Sequence, residues 1–339
     1  MASIGFRDCV AVYSKRSMLH AFSVIAGLLF CGSVFAATTF VSADVQKPDH
    51  PVVKAVEHMS QVLAKSTNGE LSVQVKSNGE LGSESEVLDK LRKGTLDMAR
   101  LSMGVLGDSV PAAKLMSLPY LFRSREHLWS VLRGDFGERL EREMQASGLV
   151  LVMYLDSGTR NFYANKPIRT RNDFKGLKFR VQPSAVYKDL ITELGGTPAV
   201  IAYDKVGEAL KSGEVDGAEN NIVSFVSAEH YKYAHYLSLD EHSMVPDALF
   251  MSKKAWAKLT PQQREQLKMA SLESEDFMAK LWQEKERDAL TFAKKNGVTV
   301  ISKSQLAMAG IESFAIKLYS RYVQDPKDLD TVLQIVSAK

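Results

Sequence analysis

Cysteine is scarce in this chain. There are two among 339 residues, Cys9 and Cys31, both within the first 36. Beyond them no disulfide, thiol nucleophile or cysteine-ligated metal can form. Histidine offers no metal site either. The six later histidines (His50, His58, His127, His230, His235 and His242) lack zinc spacing, and His230 and His235, five apart, fall on different faces of a helix. There is no G-x-S-x-G, no H-E-x-x-H and no glycine-rich phosphate loop. Asp216 and Glu219 can form a carboxylate pair, but a pair without further catalytic partners is ordinarily structural. No catalytic residue, cofactor or metal is therefore expected. Long basic runs are also missing: 43 Lys plus Arg are interspersed with 40 Asp plus Glu, for a net charge of +3. Nucleic acid is not an expected partner.

The amino terminus reads as a targeting segment. Arg7, Lys15 and Arg16 precede a largely apolar stretch, Met18 to Ala36, that has no acid, Lys or Arg, and Val34-Phe35-Ala36 places small residues at cleavage positions. Residues 1–36 are expected to be a signal peptide cut after Ala36, giving an exported, periplasmic protein. The alternative is a retained anchor, since the run without formal charge continues to Ala43. Phe30 before Cys31 does not suit a lipoprotein site, and no second span is found. The remaining chain is nearly neutral and, at 45% hydrophobic content overall, is long enough for a sizeable core and two domains.

Strand and helix periods alternate along it. Strands are expected at Thr38–Ala43, Leu71–Lys76, Leu96–Leu101, Leu149–Leu155 (an apolar run suited to burial on both faces), Arg160–Tyr163, Leu177–Gln182, Thr197–Ala202, Val215–Ala218, Asp247–Met251 and Val298–Ile301. Helices are expected near 51–64, 83–93, 125–132, 136–146, 184–194, 204–212, 223–234, 304–322 and 328–337. Ser83 and Glu86 are spaced as a capping box, with Gly94 as the stop. From Thr260-Pro261 a helical pattern runs without Gly or Pro to Gly297. About 35 residues at ~1.5 Å each span on the order of 50 Å, enough to cross two lobes. Such alternation indicates an α/β fold.

Candidate binding groups gather near element ends, where α/β proteins collect ligand contacts. Arg180 lies on the polar face of the Leu177–Gln182 strand, Arg160 begins another strand, Tyr203 closes a third and Asn220 follows a fourth. Two arginines on one site imply an anionic ligand, and a guanidinium suits a carboxylate through two parallel bonds. Each residue also has an ordinary reading: Arg160 can pair with Asp156 or Asp173, Tyr203 can be core, and Asn220 can cap the next helix.

Asn78-Gly-Glu-Leu-Gly82, Leu91-Arg-Lys-Gly-Thr-Leu-Asp97, Leu118-Pro-Tyr-Leu121, Ser157-Gly-Thr-Arg160, Lys175-Gly-Leu-Lys-Phe-Arg-Val181 and Val215-Asp-Gly-Ala-Glu-Asn220 occur in that order. Together they resemble the solute-binding subunits of tripartite ATP-independent periplasmic (TRAP) transporters, the DctP family, over nearly the whole chain after residue 36. The resemblance implies a monomeric two-lobed binding protein with crossing hinge strands and a long helix over both lobes. It implies lobe 1 from 37–157 plus about 246–285, and lobe 2 from 158–245 plus about 286–339. It also implies an organic acid ligand and membrane transporter subunits as partners. It places the carboxylate clamp on Arg180, with Arg160, Asn220 and Tyr203 in support. Arg160-Asn-Phe-Tyr163, Asp216-Gly-Ala-Glu-Asn-Asn221, Glu241-His-Ser-Met-Val-Pro246 and Arg100 are similar to a branch that takes hexuronates such as glucuronate and galacturonate. There Arg100, Glu219 and His242 would meet sugar hydroxyls. A dicarboxylate or another organic acid is the alternative, with Arg100 as a second clamp, and so is a sensory binding role.

Overall fold

The computed structural model describes residues 37–338. The expected signal peptide, with Cys9 and Cys31, lies outside the described residues. Among the described residues eleven strands form two sheets. They are β1 (Thr38–Ala43), β2 (Leu71–Lys76), β3 (Met98–Ser102), β4 (Leu149–Leu155), β5 (Arg160–Ala164), β6 (Lys178–Val181), β7 (Thr197–Val200), β8 (Gly217–Asn220), β9 (Tyr236–Ser243), β10 (Asp247–Ser252) and β11 (Thr299–Ile301). The first sheet has the order β2-β1-β3-β10-β4 and the second β11-β9-β5-β8-β6-β7. The chain crosses between them twice through strands, from β4 into β5 and from β9 back into β10. These crossings run side by side, since Leu155 pairs with Asp247 and Arg160 with Ser243.

The third crossing is the helix Pro261–Lys295. Thr260 and Gln263 form a reciprocal capping box at its start, and Pro261 occupies the first turn, where its missing N–H is no loss. Its first half packs under the first sheet, where Glu275 Oε1 accepts from the Tyr154 amide at 3.0 Å and His58 Nδ1 meets Ser274 Oγ at 2.9 Å. Farther along, Phe292 meets Tyr231 beneath the second sheet, ring centroids 5.3 Å apart. Between these contacts Trp282 is fully buried below the β4–β5 crossing.

Several expectations shift. β4 is an edge strand with partly exposed residues rather than one buried on both faces. β8 begins two residues later than expected, so Glu219 and Asn220 are strand residues. The helix expected over 223–234 is Ile222–Ser227 followed by a short 3-10 turn, and that over 304–322 is broken into Met308–Glu312 and Ala315–Tyr322. β9 has no counterpart in the sequence reading. The last helix, Pro326–Ser337, packs on the helices Arg125–Leu132 and Asp135–Ala146, next to the first sheet. There His127 Nε2 meets the Ile335 carbonyl at 2.8 Å and Arg139 pairs with Asp328 at 2.7 Å. Among the described residues no helix is long and apolar enough to cross a membrane.

Candidate functional site

β1 and β3 run parallel in one sheet, and β6 runs parallel to β7 and β8 in the other. Their carboxyl ends meet around a narrow, nearly shut cavity of about 20 Å³, well below the range for small-molecule sites. Gln46 follows β1, Ser102 ends β3, Gln182 follows β6, Tyr203 follows β7, and Asn220 and Asn221 lie at the end of β8; all of them line the cavity. The crossing strands contribute their first residues, Arg160 of β5 and Asp247 of β10. Bonds between the two halves close the rim. Gln46 Nε2 donates to Ser224 Oγ at 3.4 Å, and Asn221 Nδ2 donates to Ser157 Oγ at 3.2 Å.

Arg180 is 2% exposed, and its Nε donates to the Ile201 carbonyl at 2.8 Å. It forms no ion pair with any carboxylate among the described residues. Burial accordingly pushes its pKa down. The alternation that places Arg180 and Gln182 opposite Phe179 and Val181 is confirmed, but that polar face meets the cavity rather than solvent.

Arg160 is held differently. Its Nε and Nη2 donate to the two carboxylate oxygens of Glu219, the second at 2.9 Å, and Nη2 also reaches the Glu219 carbonyl at 3.0 Å. The guanidinium lies 5.3 Å over the ring of Tyr187. Glu219 and His242 are both 0% exposed and stand behind Arg160, outside the cavity lining. His242 Nε2 is 3.5 Å from Glu219 Oε2, its Nδ1 is 2.9 Å from Asp240 Oδ2, and its ring stacks on Phe162 at 4.2 Å. The charges alternate as Arg160, Glu219, His242, Asp240. Burial opposes ionisation of both middle groups, but their partners prevail: Arg160 and His242 bring the Glu219 carboxyl down to about 2, and Asp240 and Glu219 raise the His242 imidazole to about 9.

Arg100 also lines the cavity, but three of its five N–H donors are committed. Nε and Nη2 donate to Asp44 Oδ1, the former at 3.1 Å, Nη1 donates to Glu84 Oε1 at 2.8 Å, and Asp247 Oδ2 lies 3.6 Å away. Tyr203 reaches the Ser224 carbonyl at 3.5 Å and lies edge-on to His230. Asn220 Oδ1 accepts from the Asn221 amide at 2.8 Å. The helix that follows is capped by Asn221, not Asn220, through Ser224 N to Asn221 Oδ1 at 2.7 Å. Five of the seven residues singled out from sequence, Arg100, Arg160, Arg180, Tyr203 and Asn220, thus share the cavity. Asp44, Glu84, Asp247 and Gln46 were not anticipated. Gln182, seen as a partner of Arg180 on the strand face, carries a buried Nε2 without a protein acceptor, and Gln46 a buried Oε1 without a donor. Such groups are suited to a polar ligand.

Residues 42–325 match the family model described as bacterial extracellular solute-binding protein, family 7 (DctP). A solute-binding protein of Chromohalobacter salexigens is 32% identical, covering 96% of this chain and 95% of its own. Among solved structures, a TRAP periplasmic solute-binding protein from Xanthobacter autotrophicus Py2 with bound β-D-galacturonate superposes with a TM-score of 0.85 at 38% identity, covering 88% of this chain and 100% of its own. Another from Chromohalobacter salexigens, with bound D-glucuronate, gives 0.84 at 30% identity, covering 88% and 100%.

Proposed function

The chain belongs to the DctP family of bacterial extracellular solute-binding proteins, which serve TRAP transporters, and from that premise we propose that its solute is a hexuronate, D-galacturonate or D-glucuronate. The family is one of binding proteins rather than an enzyme class. The observation that carries the ligand reading is Arg180, a buried guanidinium in the cavity with no ionic partner. A lone buried cation is costly, and a ligand carboxylate offsets that cost through two parallel charge-assisted bonds. Asn220 and the paired Arg160 flank the same carboxylate, and Tyr203 offers an aromatic face to the sugar. The structures of relatives with galacturonate and glucuronate bound support the ring size.

In this reading the two sheets belong to two lobes, 37–157 with about 246–285 and 158–245 with about 286–325, and the final helix rides on the first lobe. Ligand contacts from both lobes exist together only when the cleft is shut, so ligand populates the shut form. The protein works outside the cytoplasm after removal of a signal peptide near Ala36, as a monomer, and hands its acid to the membrane subunits of the transporter.

The test is thermal unfolding of residues 37–339 against hexuronates, aldonates, C4-dicarboxylates and neutral hexoses. A ligand at ~100 times its Kd adds about 2.7 kcal/mol. At roughly 2 °C per kcal/mol for a chain this long, that is a shift of about 5 °C. A shift with a hexuronate and none with galactose or glucose is expected. A shift only with dicarboxylates, or with none of these acids, overturns the ligand assignment.

A further inference from the structure

The cavity wall contributed by the first sheet carries two acids, Glu84 and Asp247, and Asp44 stands behind it against Arg100. Arg100 sits among three carboxylates, Asp44, Glu84 and Asp247, all of them buried. One guanidinium cannot neutralise three acids, so this wall keeps a negative excess while the second sheet presents Arg180 unpaired. Its carboxylates are not equally engaged. Asp44 Oδ1 takes two Arg100 nitrogens and the Gln46 amide, and Glu84 Oε1 takes Arg100 and the Ser102 amide at 2.9 Å. Among the described residues Asp247 makes no hydrogen bond through its side chain. It is only 5% exposed, it lines the cavity, and among the described residues its one ionic partner is Arg100, at 3.6 Å. A buried carboxyl in that state is an acceptor held for something that enters the cavity. Burial, with Glu84 and Asp44 nearby, raises it to about 7 against the opposing pull of Arg100, so it also carries a proton part of the time near neutrality.

We propose that Asp247 and Glu84 are specificity-determining residues that accept hydroxyls from the end of the ligand remote from its carboxylate and exclude a second carboxylate there. The proposal rests on the Arg180 clamp and deepens it: the substrate class narrows to polyhydroxy monocarboxylates, and aldarates and C4-dicarboxylates are rejected. A second carboxylate on this wall would meet like charge in a buried setting, where repulsion is weakly screened, and three of the five Arg100 N–H groups are already bonded to Asp44 and Glu84. A hydroxyl donates to Asp247 at no such cost.

The test uses matched acids that differ by one terminal carboxylate, D-galacturonate against galactarate and threonate against tartrate, titrated calorimetrically into residues 37–339. At least one monocarboxylate is expected to bind a hundredfold or more tighter than its diacid. In Glu84→Gln and Asp247→Asn, both close in shape to the native side chains, that ratio is expected to narrow at least tenfold, with the diacid gaining affinity in absolute terms. The second pair keeps the two readings apart. Threonate preferred over tartrate while neither hexuronate binds would sink the hexuronate assignment and leave the acid wall standing. The wall is overturned if either diacid binds wild type as well as its partner, if no acid of either pair binds, or if folded variants lose affinity for both members of a pair equally. Because the wild-type ratio is decisive alone, a variant that fails to fold does not rescue the proposal.

Discussion

Replacing Glu219 by Gln tests the buried charge chain behind the cavity. The substitution keeps the shape and leaves Arg160, 4% exposed, without its carboxylate and His242 with only Asp240. Removing one partner of a buried pair costs about 3–5 kcal/mol. At roughly 2 °C per kcal/mol for a chain this long, the ligand-free protein should melt roughly 6–10 °C lower at pH 7. The pH dependence of that difference follows from Glu219 itself. Its folded pKa of about 2 is depressed from 4.5, so its stabilisation is complete above about pH 4.5 and disappears as pH falls through 4.5 toward 2. The wild-type advantage over the variant should therefore shrink across that acid window. His242 has the opposite sign. Its folded pKa is raised from 6.5 to about 9, so its stabilisation is complete below 6.5 and is lost as pH rises toward 9, with less to lose once Glu219 is gone. Calorimetric melting of both proteins from pH 3 to 9 reads both limbs. A variant melting within about 2 °C of wild type at pH 7, or a difference that does not change with pH, refutes the alternating-charge account.

Arg180→Met separates binding from stability: it removes a buried, unpaired charge and sacrifices one bond to the Ile201 carbonyl. The ligand-free variant should melt at or above the wild-type temperature while losing acid binding, and a fall of more than about 5 °C would show that Arg180 is structural. Gly158→Ala tests the β4–β5 crossing. Its φ is +58°, and a Cβ would lie 2.6 Å from Glu286 Oε1 and 2.9 Å from Trp282 Nε1. Left-handed backbone costs an L-residue about 1–2 kcal/mol before any contact, so a loss of at least about 2–4 °C in Tm is expected; an unchanged Tm would mean the crossing adjusts freely. Thr260→Ala removes the cap of the long helix, worth about 1 kcal/mol. The expected decrease is about 2 °C, and a decrease above about 6 °C would show that the helix start does more than the cap accounts for.

Much of the fold is legible where a residue's surroundings are local. The capping box at Ser83, the stop at Gly94, the start of the long helix at Thr260-Pro261 and the alternation of β6 all depend on neighbours within a few positions, and all appear as read. β9 was invisible because its burial inverts the usual rule. Asp240 and His242 are buried at 1% and 0% while Leu239 is partly exposed. Those polar residues are tolerated inside only because Phe162, Glu219 and their neighbours, far away in sequence, supply partners. The same limit applies at the cavity. Arg180 and Arg160 were found from their positions at strand ends, but whether each is free or paired depends on residues elsewhere in the chain. Arg100 read as a spare donor; its carboxylates lie 56 and 16 residues away, at Asp44 and Glu84, and take three of its five N–H groups.

The central claim is that Arg180 grips the carboxylate of a hexuronate. Titration calorimetry of D-galacturonate and D-glucuronate into wild type and Arg180→Lys tests it most directly. Lysine keeps the charge but cannot form the two parallel bonds. Losing the paired geometry of a buried charged contact costs roughly 2–5 kcal/mol, so wild type should bind at least one hexuronate and the variant should bind it more than tenfold weaker. Equal affinity in the two proteins would contradict the clamp, and no heat from either sugar acid in wild type would contradict the hexuronate.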